Sequence, residues 1–159
     1  MNEVASILGY NSWLFGNVVG GVTQDQAGFR LNESTNSLDR VAGHLAVGRM
    51  TMAGLLEIEV PEAPWGEFAE FGADHQFSGQ ECPALADIVA TFNGVGEALT
   101  GWMADVTDAI WNRPALFPLP GDPTMREQIA WMTMHESYHI GQLGIMRKTL
   151  DGVRAMDPS

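Results

Sequence analysis

The sequence predicts an all-α protein, a four-helix bundle in a single domain over residues 1–159. Three observations carry this. Four segments set apolar residues at spacings of three and four, the period of a half-buried helix. No segment sustains the period-two alternation of a strand; the nearest case, Ile58-Glu59-Val60, is short and runs straight into Pro61. A chain of 159 residues with 45% hydrophobic content is long enough and apolar enough to close one core of its own.

The first helix is expected over about 3–20, with Val4, Ile7, Leu8, Leu14, Phe15 and Val18 on its apolar side and Gly20-Gly21 as its stop. The second is expected over about 36–58, with Asn36 and Asp39 in a capping relation at its start. The third is expected over about 83–112, an unbroken period from Leu85 through Ile88, Phe92, Val95, Leu99, Trp102 and Val106 to Ile110. Pro83 suits its first turn, and Pro114 lies just past its end. The fourth is expected over about 124–150, opened by a Thr124–Glu127 capping box and closed by Asp151-Gly152. The linker over about 59–81 carries Pro61, Pro64, Gly66, Gly72 and Gly79, and also Trp65, Phe68, Phe71 and Phe77. An apolar loop of that length is expected to pack over the bundle or across a dimer contact.

The charge narrows the partners. Twenty acidic residues against eight basic ones give −12, which repels phosphate backbones and anionic lipid and speaks against nucleic-acid binding. No stretch has the roughly 18 apolar residues of a membrane span. The N-terminus lacks the basic start and long apolar run of a signal peptide, so a cytoplasmic protein is expected. Cys82 stands alone, which excludes an internal disulfide and a cysteine zinc cluster; it reads as a small buried residue.

The histidines carry the chemistry. At about 100° per residue, His135 and His139 share a stripe of the fourth helix with Trp131, Met132, Gln142, Leu143 and Met146. Arg126, Thr133, Ser137, Gly144 and Lys148 fall on the opposite side. On the second helix His44 shares a face with Val41, Gly48, Met52 and Leu55, while Ala42, Ala46, Arg49 and Ala53 point away from it. Side chains four apart have Cβ atoms about 5–6 Å apart, so two imidazoles can meet one ion. Each inward histidine has an alternative reading as a hydrogen-bonded core residue. Three clustered neutral rings would then each need a separate polar partner, and the stripes supply few: Ser37, Gln142 and Tyr138. His75, between Asp74 and Gln76 in the linker, reads as a solvated loop residue. Gly48, one turn from His44, leaves room for a ligand or for close helix approach.

The arrangement resembles the DinB/YfiT-like family of four-helix proteins over nearly the whole chain. The resemblance rests on Ser37-Leu-Asp-Arg-Val-Ala-Gly-His44-Leu, on Thr124-Met-Arg-Glu, and on His135-Glu-Ser-Tyr-His139-Ile-Gly-Gln142-Leu followed by Arg147 and Asp151-Gly152. Gly9-Tyr-Asn-Ser-Trp13-Leu and Gly21-Val-Thr-Gln-Asp-Gln also fit it, whereas the long linker departs from it. The resemblance implies a metal site made by His44, His135 and His139, a homodimer, and a metal-dependent transferase or isomerase using a small thiol such as mycothiol or bacillithiol.

Three neutral imidazoles leave coordination positions open for water, a thiol or a carbonyl, so hydrolysis, thiol transfer and isomerisation are all within reach. Zinc suits a tetrahedral set, and nickel suits an octahedral one. Gln142, about 20° from His135 around the helix, is a candidate for holding bound water, and Arg40 for receiving a substrate carboxylate or pairing with a surface acid. Glu136, about 100° from His135, reads as a solvated charge or a partner behind the ligands rather than a general base. Trp13 and Trp131 read as packing residues.

Two rivals stand. One is a non-catalytic metal- or ligand-binding stress-response module. The other is a zinc protease, since His135-Glu136-Ser-Tyr-His139 satisfies H-E-x-x-H; no histidine or glutamate follows His139 to complete that site.

Overall fold

The computed structural model describes residues 3–60, 83–103 and 105–156. The linker from 61 onward, His75 and Cys82 lie outside the described residues, so the expectations placed on them stay as they were. The described residues form six helices and no strand: α1 Glu3–Val19, α2 Gln24–Ala27, α3 Leu38–Leu55, α4 Leu85–Trp102, α5 Asp108–Trp111 and α6 Met125–Asp151. None is long and apolar enough to cross a membrane. The four long helices pack in a ring: α1 lies against α4 and α6, and α3 against the same two.

Helix ends follow local chemistry. At the start of α6 the backbone N–H and the hydroxyl of Thr124 both donate to the Glu127 carboxylate, at 2.6 and 2.9 Å. The same contacts hold Glu127 below the usual carboxylate range. Gly152 closes α6 in the left-handed conformation, φ 82°, which a residue with a Cβ adopts only under strain. At the C-terminus of α1, Arg147 donates from Nη1 to the carbonyls of Val18 and Gly20, at 2.9 and 2.7 Å. A cation there satisfies orphaned helix carbonyls and meets the negative end of the dipole.

Two boundaries differ from expectation. The second long helix begins at Leu38 with Ser37 as its cap, not Asn36; the Ser37 hydroxyl turns to the Asp39 carboxylate instead of to a backbone N–H. It ends at Leu55, before Glu57 takes φ 58°. The third long helix does not run to 112. It stops at Trp102, and Thr107 takes an extended conformation, φ −81° and ψ 155°, before α5 begins. Nine residues of straight helix would separate Trp102 from Trp111 by about 13.5 Å. The break brings their rings to 6.3 Å and buries Trp111 in the core. The helix itself starts at Leu85 behind Ala84, so Pro83 precedes its first turn.

Among the described residues the core has two apolar clusters. One gathers Phe15, Val18, Leu38, Ile88, Phe92 and Leu143; the other gathers Leu8, Met52, Leu99, Trp111, Ile129 and Met132. A charged pair bridges them. Arg49 is 0% exposed and Glu136 3%. Arg49 donates from Nε and Nη2 to the two Glu136 oxygens, both at 2.8 Å. It also donates to Ser12 Oγ at 2.9 Å and to the carbonyls of Leu8 and Phe92 at 3.1 Å, and its guanidinium carbon sits 3.5 Å above the Phe92 ring centroid. Gly96 makes the passage for it: a Cβ there would meet Arg49 Nη1 at 2.0 Å.

Candidate metal centre

His44 stands in the second turn of α3, and His135 and His139 stand one turn apart in the middle of α6. The α3–α6 contact brings the three together, with each residue partly buried. Nε2 of His135 lies 3.3 Å from Nε2 of His44 and 3.0 Å from Nε2 of His139. The three ligand atoms all fall within 4.8 Å of one another. Two nitrogens bound to one ion at about 2.0–2.1 Å stand ~3.0 Å apart at a right angle and ~3.4 Å apart at the tetrahedral angle. Both spacings from His135 fall in that interval, and the His44–His139 pair lies within 4.8 Å, so the three could hold one divalent ion.

The surroundings set the rings. His139 Nδ1–H donates to Gln142 Oε1 at 2.7 Å, which leaves the Nε2 lone pair free on the side of the other two histidines. Gln142 is itself anchored by its Nε2, which donates to the Tyr138 hydroxyl at 3.0 Å. Both polar atoms of the amide are therefore engaged on the side of His139 away from the cluster. Trp131 stacks on His135, with ring centroids 5.1 Å apart and planes 14° from parallel. Trp131 is 38% exposed, so it is a wall of the site rather than a core packing residue. Trp13, 48% exposed on α1, lies on the outer surface.

The stripe of α6 is turned from its expected position. Its buried line runs through Met125, Ile129, Met132, Thr133, Glu136, Ile140, Leu143 and Arg147, while His135 and His139 sit on its edge, half-buried. Thr133 and Ser137 are not on a solvent side: Thr133 is buried, and both are bound to Asn11 of α1. On α3 the residues pointing away from His44 are also buried, because that side packs on α4. Glu136 is neither solvated nor aimed at the imidazoles; its oxygens are taken by Arg49. That removes the general base that an H-E-x-x-H protease requires.

Beside His44 and His135 lies a cavity of about 20 Å³, room for one water, lined also by Leu45, Gly48, Met52, Trp131, Met132 and Glu136. Among the described residues, a Cβ at Gly48 would meet nothing within 4 Å. The glycine therefore provides open space, not close approach of another helix.

All three imidazoles are held below the ordinary histidine value. His44 is pushed down to about 4, first by burial and then by the neighbouring His139, His135 and Arg40. Burial comes first for His135 as well, followed by His139. It also lowers His139, against the opposing pull of the Gln142 hydrogen bond. Neutral rings are the form a metal needs. Between pH 6.5 and about 4 the unfolded chain takes up a proton at His44 that the folded chain refuses. Stability in the metal-free protein therefore rises with pH across that window and is lost on acidification. The melting temperature of metal-free wild type is expected to fall more between about pH 7 and about pH 4.5 than that of His44→Gln. Equal falls in thermal scans would contradict this.

Fold and site together define a helical bundle with a three-histidine group on its α3–α6 face. The DinB superfamily model matches residues 14–143, a span that takes in all three histidines, and the chain belongs to the DinB superfamily. No curated protein matches this chain.

Sequence reasoning missed the Arg49–Glu136 pair. One signal was present: Arg49 is the single charged residue among Ala42, Ala46 and Ala53 on their side of α3. It also missed α2, whose Thr23–Gln26 capping box has the same form as the one at Thr124.

Proposed function

We propose that this protein is a divalent-metal enzyme acting on a small molecule, with His44, His135 and His139 as the protein ligands and zinc or nickel as the ion. The observation that carries the reading is the 3.0 and 3.3 Å spacing of the Nε2 atoms. A divalent ion on three neutral imidazoles keeps its full charge and open positions, and so brings a bound water's pKa to about 7 or favours thiolate from a bound thiol. The reaction is a transfer, an isomerisation or a hydrolysis.

The chain's own residues do the rest. Gln142 and Tyr138 hold His139 in one tautomer. Trp131 fixes the plane of His135. Leu45, Met52 and Met132 keep bulk water from the inner side of the cluster. Arg40, close enough to His44 to disfavour its protonation, offers positive charge to an anionic part of the substrate. In this reading Gln142 acts on the substrate through His139.

The reading also has the protein work as a homodimer in the cytoplasm, where small thiols stay reduced. Ile7, Tyr10 and Trp13 on α1, with Met134 and Ile145 on α6, are exposed apolar side chains on helices that pack side by side, which supports a second copy as their cover. The charge of −12 remains against a nucleic-acid partner.

The test is metal analysis of the purified protein with the visible spectrum of its cobalt form. We expect one ion per chain and bands that shift when a small thiol is added. A spectrum indifferent to added ligand would indicate a closed, structural site. Assays pairing thiols with electrophiles then separate transfer from hydrolysis.

A further inference from the structure

The buried Arg49–Glu136 pair occupies the same stretch of the α3–α6 contact as the histidines. Arg49 follows His44 by five residues on α3, about 7.5 Å along the axis, and Glu136 follows His135 directly on α6. Within the trio, His135 and His139 keep their spacing through their own helix. The spacing of His44 to them depends on how α3 stands against α6. A metal site requires its ligand distances to be right to within about 0.2 Å. The apolar side chains that α3 and α6 bring to the two core clusters, Leu45 and Met52 from one and Leu143 and Met132 from the other, attract without direction. They leave the height and rotation of one helix on the other loosely set. Two parallel N–H···O bonds of 2.8 Å between planar groups set both.

The fork is itself pinned from the other two long helices. All five guanidinium N–H groups of Arg49 are used: two on Glu136, two on Ser12 Oγ and the Leu8 carbonyl of α1, and one on the Phe92 carbonyl of α4. One side chain thus refers all four long helices to a common point. Net stability does not require this arrangement. The desolvation of two buried charges roughly offsets their attraction, and an apolar pair of similar volume is often as stable or more so. What an apolar pair lacks is the directional bond that fixes one helix against another.

We propose that Arg49 and Glu136 are positioning residues for the metal centre: together they set the stance of α3 on α6, and with it the place of His44 beside His135 and His139. Neither is a ligand; both act through the spacing of the imidazoles. The proposal rests on the three-histidine reading above and adds what holds its geometry.

The experiment titrates metal-free protein with cobalt, following the visible bands, with helical circular dichroism and thermal melts on the same samples. The double variant Arg49→Met, Glu136→Leu is expected to fold with wild-type helicity, to bind cobalt at least about tenfold more weakly, and to show altered bands. Gly96→Ala touches neither a ligand nor the pair's charges, but its methyl group would meet Arg49 Nη1 at 2.0 Å. It is expected to weaken cobalt binding about threefold in the wild-type background, and to have no effect once the pair is removed. Ile88→Ala opens a cavity at a fully buried position of α4, a helix that carries none of the three histidines. It is expected to lower the melting temperature and leave cobalt affinity and bands unchanged. A double variant that binds cobalt like wild type, or that does not fold, overturns the positioning role; so does an Ile88→Ala that loses as much affinity as the double variant. In each case cobalt binding by wild type leaves the metal reading standing. A wild-type protein that takes up no cobalt overturns both.

Discussion

Replacing Arg49 with methionine is expected to lower the stability of the protein by about 3–5 kcal/mol, because it strands a buried carboxylate. Arg49 and Glu136 are 0% and 3% exposed, and each Glu136 oxygen takes one guanidinium N–H at 2.8 Å. With the arginine gone, the buried Glu136 carboxyl loses both of its hydrogen-bond donors, and Ser12 loses one as well. Domains of this kind have about 5–15 kcal/mol in total, so Arg49→Met brings the chain near unfolding. The double variant Arg49→Met, Glu136→Leu removes both charges and is expected to recover a large part of the loss. Gly96→Ala acts on the same pair by pushing a methyl group into Nη1, and is expected to destabilise despite its better helix propensity. Denaturant midpoints at constant slope check all three. A loss below about 1 kcal/mol in Arg49→Met would contradict the account of the core.

The contrast between that pair and the histidines explains what was legible in the sequence. The helices announced themselves because each buries a side with period 3.6 and because Thr124, Glu127 and Gly152 are local punctuation. The trio was legible because two of its members share one helix at four-residue spacing and the third lies on an apolar face of another. Arg49 was not, because its partners Leu8, Ser12, Phe92 and Glu136 come from three other helices. Periodicity within one helix carries no information about partners on another. For the same reason the buried line of α6 was misplaced: Glu136, Ser137 and Arg147 are polar, yet α1 and α3 supply hydrogen bonds to their side chains and so draw them inward, and Asn11 of α1 donates to the Thr133 carbonyl. The break after Trp102 was hidden because Val106 and Ile110 continue the helical spacing across it.

The second large effect concerns the metal. His44 is the one ring of the trio contributed by α3, and its Nε2 lies 3.3 Å from that of His135. Its replacement by alanine leaves the two α6 imidazoles, which share one helix and span only one turn. Even partners one step removed from a metal change its affinity by about 10–100-fold, so loss of a direct ligand is expected to cost at least about 100-fold. The fold has little stake in the change, since His44 is only partly buried at the edge of the core and α3 keeps its contacts through Leu45, Ala46 and Arg49. The most direct measurement is therefore the metal content of wild type beside His44→Ala after exhaustive dialysis, with helical circular dichroism on the same samples. One divalent ion per chain in wild type, close to none in the variant and equal helicity in both is the predicted result. An unchanged metal content in His44→Ala would contradict the claim that these three histidines hold one ion.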